Sequence, residues 1–195
     1  MTSAVEALPA SFFDRPAATV ARALLGVRVT SICGGVETSG RIVETEAYTG
    51  PDDPACHAAE RIGRTDRNAP LYGRPGTAYI HMNYGIHWLM NVVTGPEGFP
   101  AGVLIRALEP DAGLEDMRAR RGRPELTNGP ARLTKALAIG PALQQHPMDR
   151  APLWLSDAEP VEERHVEVTT RIGISRAKDR PLRFYDRRST WVSRR

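Results

Sequence analysis

Apolar positions recur with two different periods along this chain, and each change of period marks a new element. After Asp14, DRPAATVARALLG carries Val20, Ala23, Leu24 and Leu25 at helical spacing. Asp14 is the expected N-cap, Pro16 lies in the first turn and Gly26 is the stop. GVRVTSI (Gly26 to Ile32) switches to a strand pattern, and Gly34-Gly35 turns it into RIVETEAY as a hairpin. TAYIHMNY (Thr77 to Tyr84) and WLMNVVT (Trp88 to Thr94) read as strands joined by Gly85-Ile86-His87, and GVLIRALEP (Gly102 to Pro110) as another. DAGLEDMRARR reads as a short capped helix. NGPARLTKALAIG reads as a second, opened by Asn128-Gly129-Pro130 and closed by Gly140. After a Pro-rich connection, VEVTTRIGI, PLRFYD and TWVS are strand-like.

From Thr49 to Pro75 no period holds. This stretch is rich in Gly, Pro, Asp, Asn and Arg, and so long a loop in a compact domain is functional or disordered. Strands in runs with few helices between them predict an α+β fold with a curved, mainly antiparallel sheet and a few flanking helices. Residues 1–195 read as a single domain.

Composition narrows the class. No apolar run is long enough to span a membrane. MTSAVEALPASFF lacks the basic and apolar regions of a secretory signal, so cytoplasmic localisation is expected. Cys33 and Cys56 read as free thiols in a reducing compartment. No Cys or His spacing suits a metal, no glycine pattern suits a nucleotide phosphate, and no G-x-S-x-G elbow occurs. The net charge is +3, yet 24 of the 26 basic residues are Arg. Guanidinium forks suit phosphate contact, although a GC-rich coding sequence would give the same excess. The start of NGPARLTK offers backbone N–H groups to a phosphate, which makes Gly129 and Arg132 candidate DNA contacts.

The candidate chemistry sits on RIVETEAY. Glu44, Glu46 and Tyr48 alternate, so one strand face carries two carboxylates and a phenol. Arg106 lies on another predicted strand, and His57, Tyr79, His81 and Tyr84 are planar groups of the same region. A carboxylate ringed by planar groups suits a pocket that stacks a flat ligand and activates a water. The same residues would also serve as a strand-end ion pair beside an aromatic core, and residue types alone favour that plainer reading.

The order of segments adds a resemblance. ETEAYTGPDDPACH, RTDRN, PGTAYIHMNYGIHWLMNVV, GVLIRALEP, NGPARLTKALAI and PLRFYDR together resemble the alkyladenine (3-methyladenine) DNA glycosylase family, in its compact bacterial type, from about Leu24 to Val192. The resemblance implies hydrolysis of the N-glycosidic bond of damaged purines flipped out of double-stranded DNA. It implies Glu46 as the general base, with Arg106 helping to hold the water. Tyr48 would stack on one face of the base and His57 would form the opposite wall. Tyr84 would be the wedge entering the duplex, Asn91 would crowd the exocyclic amine of guanine, and Ile172 would touch the pocket or DNA. His81 departs from the pattern, standing where well-known members carry a second stacking Tyr. No lysine lies in these motifs, so a monofunctional hydrolase without metal or cofactor is expected, acting as a monomer. Two buried ionised carboxylates repel, so Glu44 is expected to be paired with an Arg or the backbone. A damage-binding module without catalysis and a hydrolase of free nucleosides are the rival readings.

Overall fold

The computed structural model describes residues 6–195. The first five residues, part of the stretch read above as lacking a secretory signal, lie outside the described residues. The spine is β2 (Val36–Tyr48), whose residues from Thr38 onward are almost all buried. Its first half pairs with β1 (Arg28–Cys33), and from Ser39 to Tyr48 it runs beside β5 (Ala101–Ala112). Where β1 ends, β9 (Arg183–Asp186) takes its place beside Glu44 to Glu46. Beyond β5 lie β4 (His87–Thr94) and β3 (Ala78–Asn83). Beyond β1 lie β7 (Leu153–Ser156) and β6 (Asp149–Arg150), while β8 (Val166–Thr169) pairs β9. Every pairing is antiparallel, which matches the predicted α+β class. The β2–β5 register breaks on both sides of Glu44, and such irregularities bend and twist a strand.

Helices cover one face of this sheet. They are α1 (Ala10–Phe13), α2 (Ala17–Ala23), α3 (Leu114–Arg121) and α4 (Pro130–Ala136). Val20, Leu24, Ile42, Ile105, Leu108 and Leu133 are fully buried between the layers. Thr45 points into that layer, donating from Oγ1 to the Ala21 carbonyl at 2.8 Å. Strand alternation therefore turns Glu44 and Glu46 to the opposite face. At the sheet edge Gln144 acts as a one-residue strand. Its amide accepts from Ile80 N–H at 2.8 Å and donates to Ile80 carbonyl at 2.9 Å, which blunts an edge open to intermolecular pairing.

Several expected boundaries move. Asp14 ends α1 instead of capping α2, and α2 starts after Pro16 without a side-chain cap, because the residue before proline is driven out of the helical region. The helix over DAGLEDMRARR begins only at Leu114, since β5 runs on to Ala112. Gly113 (φ 73°) makes the corner, where a Cβ would stand 2.5 Å from the Glu37 carbonyl. Helix α4 closes at Leu137, with Ala138 in the left-handed region in place of Gly140. VEVTTRIGI is strand only to Thr169, and TWVS is not strand at all. Strands β6 and β7, in the stretch read as a connection, were hidden by their shortness and by Pro152. Among the described residues no helix is long and apolar enough to cross a membrane.

Candidate active site

Glu44 and Glu46 of β2 are fully buried and differently held. Glu44 Oε1 accepts from Arg106 Nε at 2.9 Å, Arg183 Nε at 2.8 Å and Ser193 Oγ at 2.8 Å, and its Oε2 accepts from the Ser193 N–H at 2.5 Å. Burial pushes this carboxyl up, but Arg106, the Ser193 N–H and Arg183 outweigh it and hold it below the ordinary value. Glu46 Oε1 accepts from the Ile172 N–H at 2.7 Å and lies 3.3 Å from Arg106 Nη1, while Oε2 accepts from the Tyr48 hydroxyl at 3.0 Å. Here burial wins, and the carboxyl stays above its ordinary value despite Arg106, Ile172 and Tyr48. Burial and the adjacent Glu46 together raise the Tyr48 phenol, which keeps it a donor.

In front of this pair lies a cavity of about 440 Å³ whose lining includes Tyr48, His57, Tyr79, His81, Asn91 and Arg106. That volume falls within the roughly 300–1,000 Å³ typical of small-ligand sites. Glu46 itself is not on the cavity surface. It lies directly behind Tyr48, Arg106 and Ile172, all of which line the cavity and all of which contact its carboxylate.

The far wall is a set of interlocked rings. His57 Nδ1 and the Tyr79 hydroxyl are 2.9 Å apart. His81 stacks on Tyr79 at 5.2 Å and meets His57 edge-on at 4.5 Å. Asn91 Nδ2 donates to the Tyr79 carbonyl at 3.0 Å, which fixes the amide, and its second contact is His81 Nδ1 at 3.1 Å. His81 Nδ1 is therefore an acceptor, and the proton of the neutral ring sits on Nε2. Burial, then His57 and Arg67, drives the His81 pKa down to about 3, and burial and Arg67 lower that of His57. Both imidazoles are neutral walls. Asn68 shapes the loop that carries His57, donating from Nδ2 to the His57 carbonyl at 2.9 Å and the Gly63 carbonyl at 2.8 Å.

The family described as "Methylpurine-DNA glycosylase (MPG)" matches residues 11–190. The chain belongs to this family. It is thus a DNA glycosylase, a hydrolase of DNA repair and alkylation damage. Relatives named "Putative 3-methyladenine DNA glycosylase" span nearly the whole chain. The one from Salinibacter ruber is 46% identical, over 97% of each chain. That from Gloeobacter violaceus is 50% identical over 97% of this chain and 88% of its own, and that from Carboxydothermus hydrogenoformans 44% identical over 96% and 99%.

In this glycosylase the residues singled out in the sequence do not all sit alike. Glu46, Tyr48, His57, His81, Asn91, Arg106 and Ile172 converge at the cavity or directly behind it. Tyr84 stands at the tip of the β3–β4 hairpin, 85% exposed, yet the cavity lining extends to it. Its φ is 50°, a left-handed conformation uncommon for any bulky side chain. Gly129 is buried at the start of α4 beside Pro130, which also lines the cavity. Arg132 is half-buried and turned onto Asn128, with Nη1 3.0 Å from the amide oxygen.

Four residues of the site escaped sequence reasoning: Asp53, Arg171, Arg183 and Ser193. The three Arg and Ser side chains come from the last quarter of the chain, where Arg is too frequent to single out any one. Only the doubled Asp52-Asp53 after the Gly-Pro turn offered a signal, since one of two adjacent carboxylates on a turn commonly folds inward onto backbone N–H groups.

Proposed function

We propose that this glycosylase flips alkylated purines, 3-methyladenine foremost, out of duplex DNA and hydrolyses their glycosidic bond with Glu46 as general base. The observation that carries this is the contrast between the carboxylates: Glu44 is saturated by cations and donors, whereas Glu46 Oε2 accepts a single bond. A carboxylate oxygen has room for a second donor, so a water beside the Tyr48 hydroxyl can bond to Glu46 and face the cavity. Its oxygen attacks C1′ of the nucleotide as the bond to the base nitrogen breaks, and Glu46 takes its proton. The electron pair of that bond goes to the base. An N3- or N7-alkylpurine is already cationic and leaves neutral, so little acid help is needed. Positive charge developing on the sugar is stabilised by the same carboxylate.

Tyr48 forms one stacking wall and the neutral His57, Tyr79 and His81 rings the other, which suits a cationic flat base. Asn91, held rigid by its two bonds, excludes the exocyclic amine of normal guanine. Tyr84, exposed and already in a strained backbone conformation, fills the gap left in the duplex, and Gly129 and Arg132 meet the phosphates. The enzyme acts as a monomer on chromosomal DNA in the cytoplasm.

The test is incubation with methylated duplex DNA. Wild-type protein releases free 3-methyladenine and leaves alkali-labile abasic sites. Glu46→Gln binds abasic-site DNA as the wild type does, with release slower by about 10²–10⁴-fold. Wild-type-like release by that variant removes Glu46 from the role.

A further inference from the structure

We infer that Arg171, clasped by Asp53, is a positioning residue for base release, setting both the Tyr48 ring and the N–H group that bonds to Glu46. This rests on the Glu46 reading above. Both side chains are fully buried. Arg171 Nη1 and Nη2 meet the two Asp53 oxygens at 2.5 and 2.8 Å, the bidentate fork geometry. Nη1 also donates to the carbonyl of Ala47, between Glu46 and Tyr48, at 2.9 Å. The guanidinium carbon lies 4.7 Å from the centroid of the Tyr48 ring, so a cation covers part of a phenol that also lines the cavity. Arg171 Nε is buried with no partner among the described residues.

Asp53 holds the other side. It accepts from the N–H groups of Thr49 at 3.3 Å and Ala55 at 3.1 Å, which fixes the turn leading to His57. The residue after Arg171 is Ile172, whose N–H reaches Glu46. One ion pair therefore joins the end of β2, the loop to His57 and the loop after β8. A buried pair of this kind is a weak source of net stability. Its contribution lies in where it holds its neighbours.

The experiment is single-turnover release of 3-methyladenine from methylated duplex across a pH series. Two variants are compared with the wild type. Arg171→Lys keeps the charge and loses the fork. Asp53→Asn combined with Arg171→Gln removes both charges together, so neither is left buried alone. Circular dichroism and a thermal melt verify the fold. Both variants are expected to slow release by about 10- to 100-fold, the scale of a small misplacement of reacting groups. The acid limb of the rate profile also moves to higher pH, because Glu46 loses its Ile172 donor. A folded variant with the wild-type rate and an unmoved limb overturns the inference. So does a lowered active fraction with rate and limb unchanged, the mark of a merely structural pair. Wild-type protein that releases no base sinks the functional reading and this inference with it. Wild-type release with unaltered variants sinks the inference alone.

Discussion

Glu44 and Glu46 share a strand, a face and complete burial, and differ in what surrounds them. Glu44 is enclosed by two guanidinium groups, a hydroxyl and a backbone N–H, and its carboxyl is held below the ordinary value. Glu46 shares one of those cations at 3.3 Å, has a free lone-pair position and is pushed above the ordinary value. Pairs of titratable groups driven apart by their surroundings divide labour between an acid–base role and a fixed charge. Arg106 gives its Nε to Glu44 and only an Nη1 contact to Glu46, and Arg183 and Ser193 bond Glu44 alone.

The contrast can be broken most sharply at Glu46. Glu46→Gln should lose release by the factor given above and keep the wild-type melting temperature or exceed it, because burial already disfavours the charge it removes. For the wild type the raised carboxyl fixes the sign of the pH dependence. In the proposed role Glu46 works ionised, so the rate should rise with pH through a pKa above 4.5, the ordinary Glu value. Next is Glu44→Ala, which strands Arg106 and Arg183 in the interior. Removing one partner of a buried ion pair costs about 3–5 kcal/mol, and denaturant unfolding should show it. A loss no greater than that of Glu46→Ala would erase the distinction between the two carboxylates.

The exposed hairpin offers a smaller and purely functional effect. Tyr84→Ala should weaken binding to abasic-site duplex by about 5- to 150-fold, the range of one lost stacking contact, with unfolding unchanged; fluorescence anisotropy measures the first and a melt the second. The smallest effect concerns His81. Its pKa is pushed down to about 3 in the fold against the ordinary 6.5, so between those values the unfolded chain binds the extra proton. Its contribution to stability is thus full above pH 6.5 and is lost as pH falls toward 3. His81→Tyr should flatten that acid-side decline in melting temperature; an unaltered slope would argue against a neutral buried imidazole.

Much of this arrangement was legible in the pattern of the chain. The alternation of RIVETEAY put both carboxylates and Tyr48 on one face, and the strands of TAYIHMNY and GVLIRALEP brought His81 and Arg106 beside them. Residue types alone favoured a plain ion pair over a reactive carboxylate, and the order of the motifs is what pointed to the second. What stayed hidden was contact at long range. Arg183 and Ser193 reach Glu44 across 139 and 149 positions, and no local period reports such a pairing. Caps were misread for a related reason: Asp14 and Asp111 have capping chemistry, but Pro16 and the extension of β5 decided the backbone first.

That reach also sets a schedule for synthesis. At about 5–20 residues per second, Glu44 is added to the chain roughly 7–30 s before Ser193, 149 positions later. Throughout that interval the strand carrying the proposed base cannot complete its shell of donors. A nascent chain that stalls before Arg183 has Arg106 to pair with Glu44 and lacks the Arg183 and Ser193 donors. The donors around Glu44 are thus complete only once residues 183 to 193 have been added to the chain.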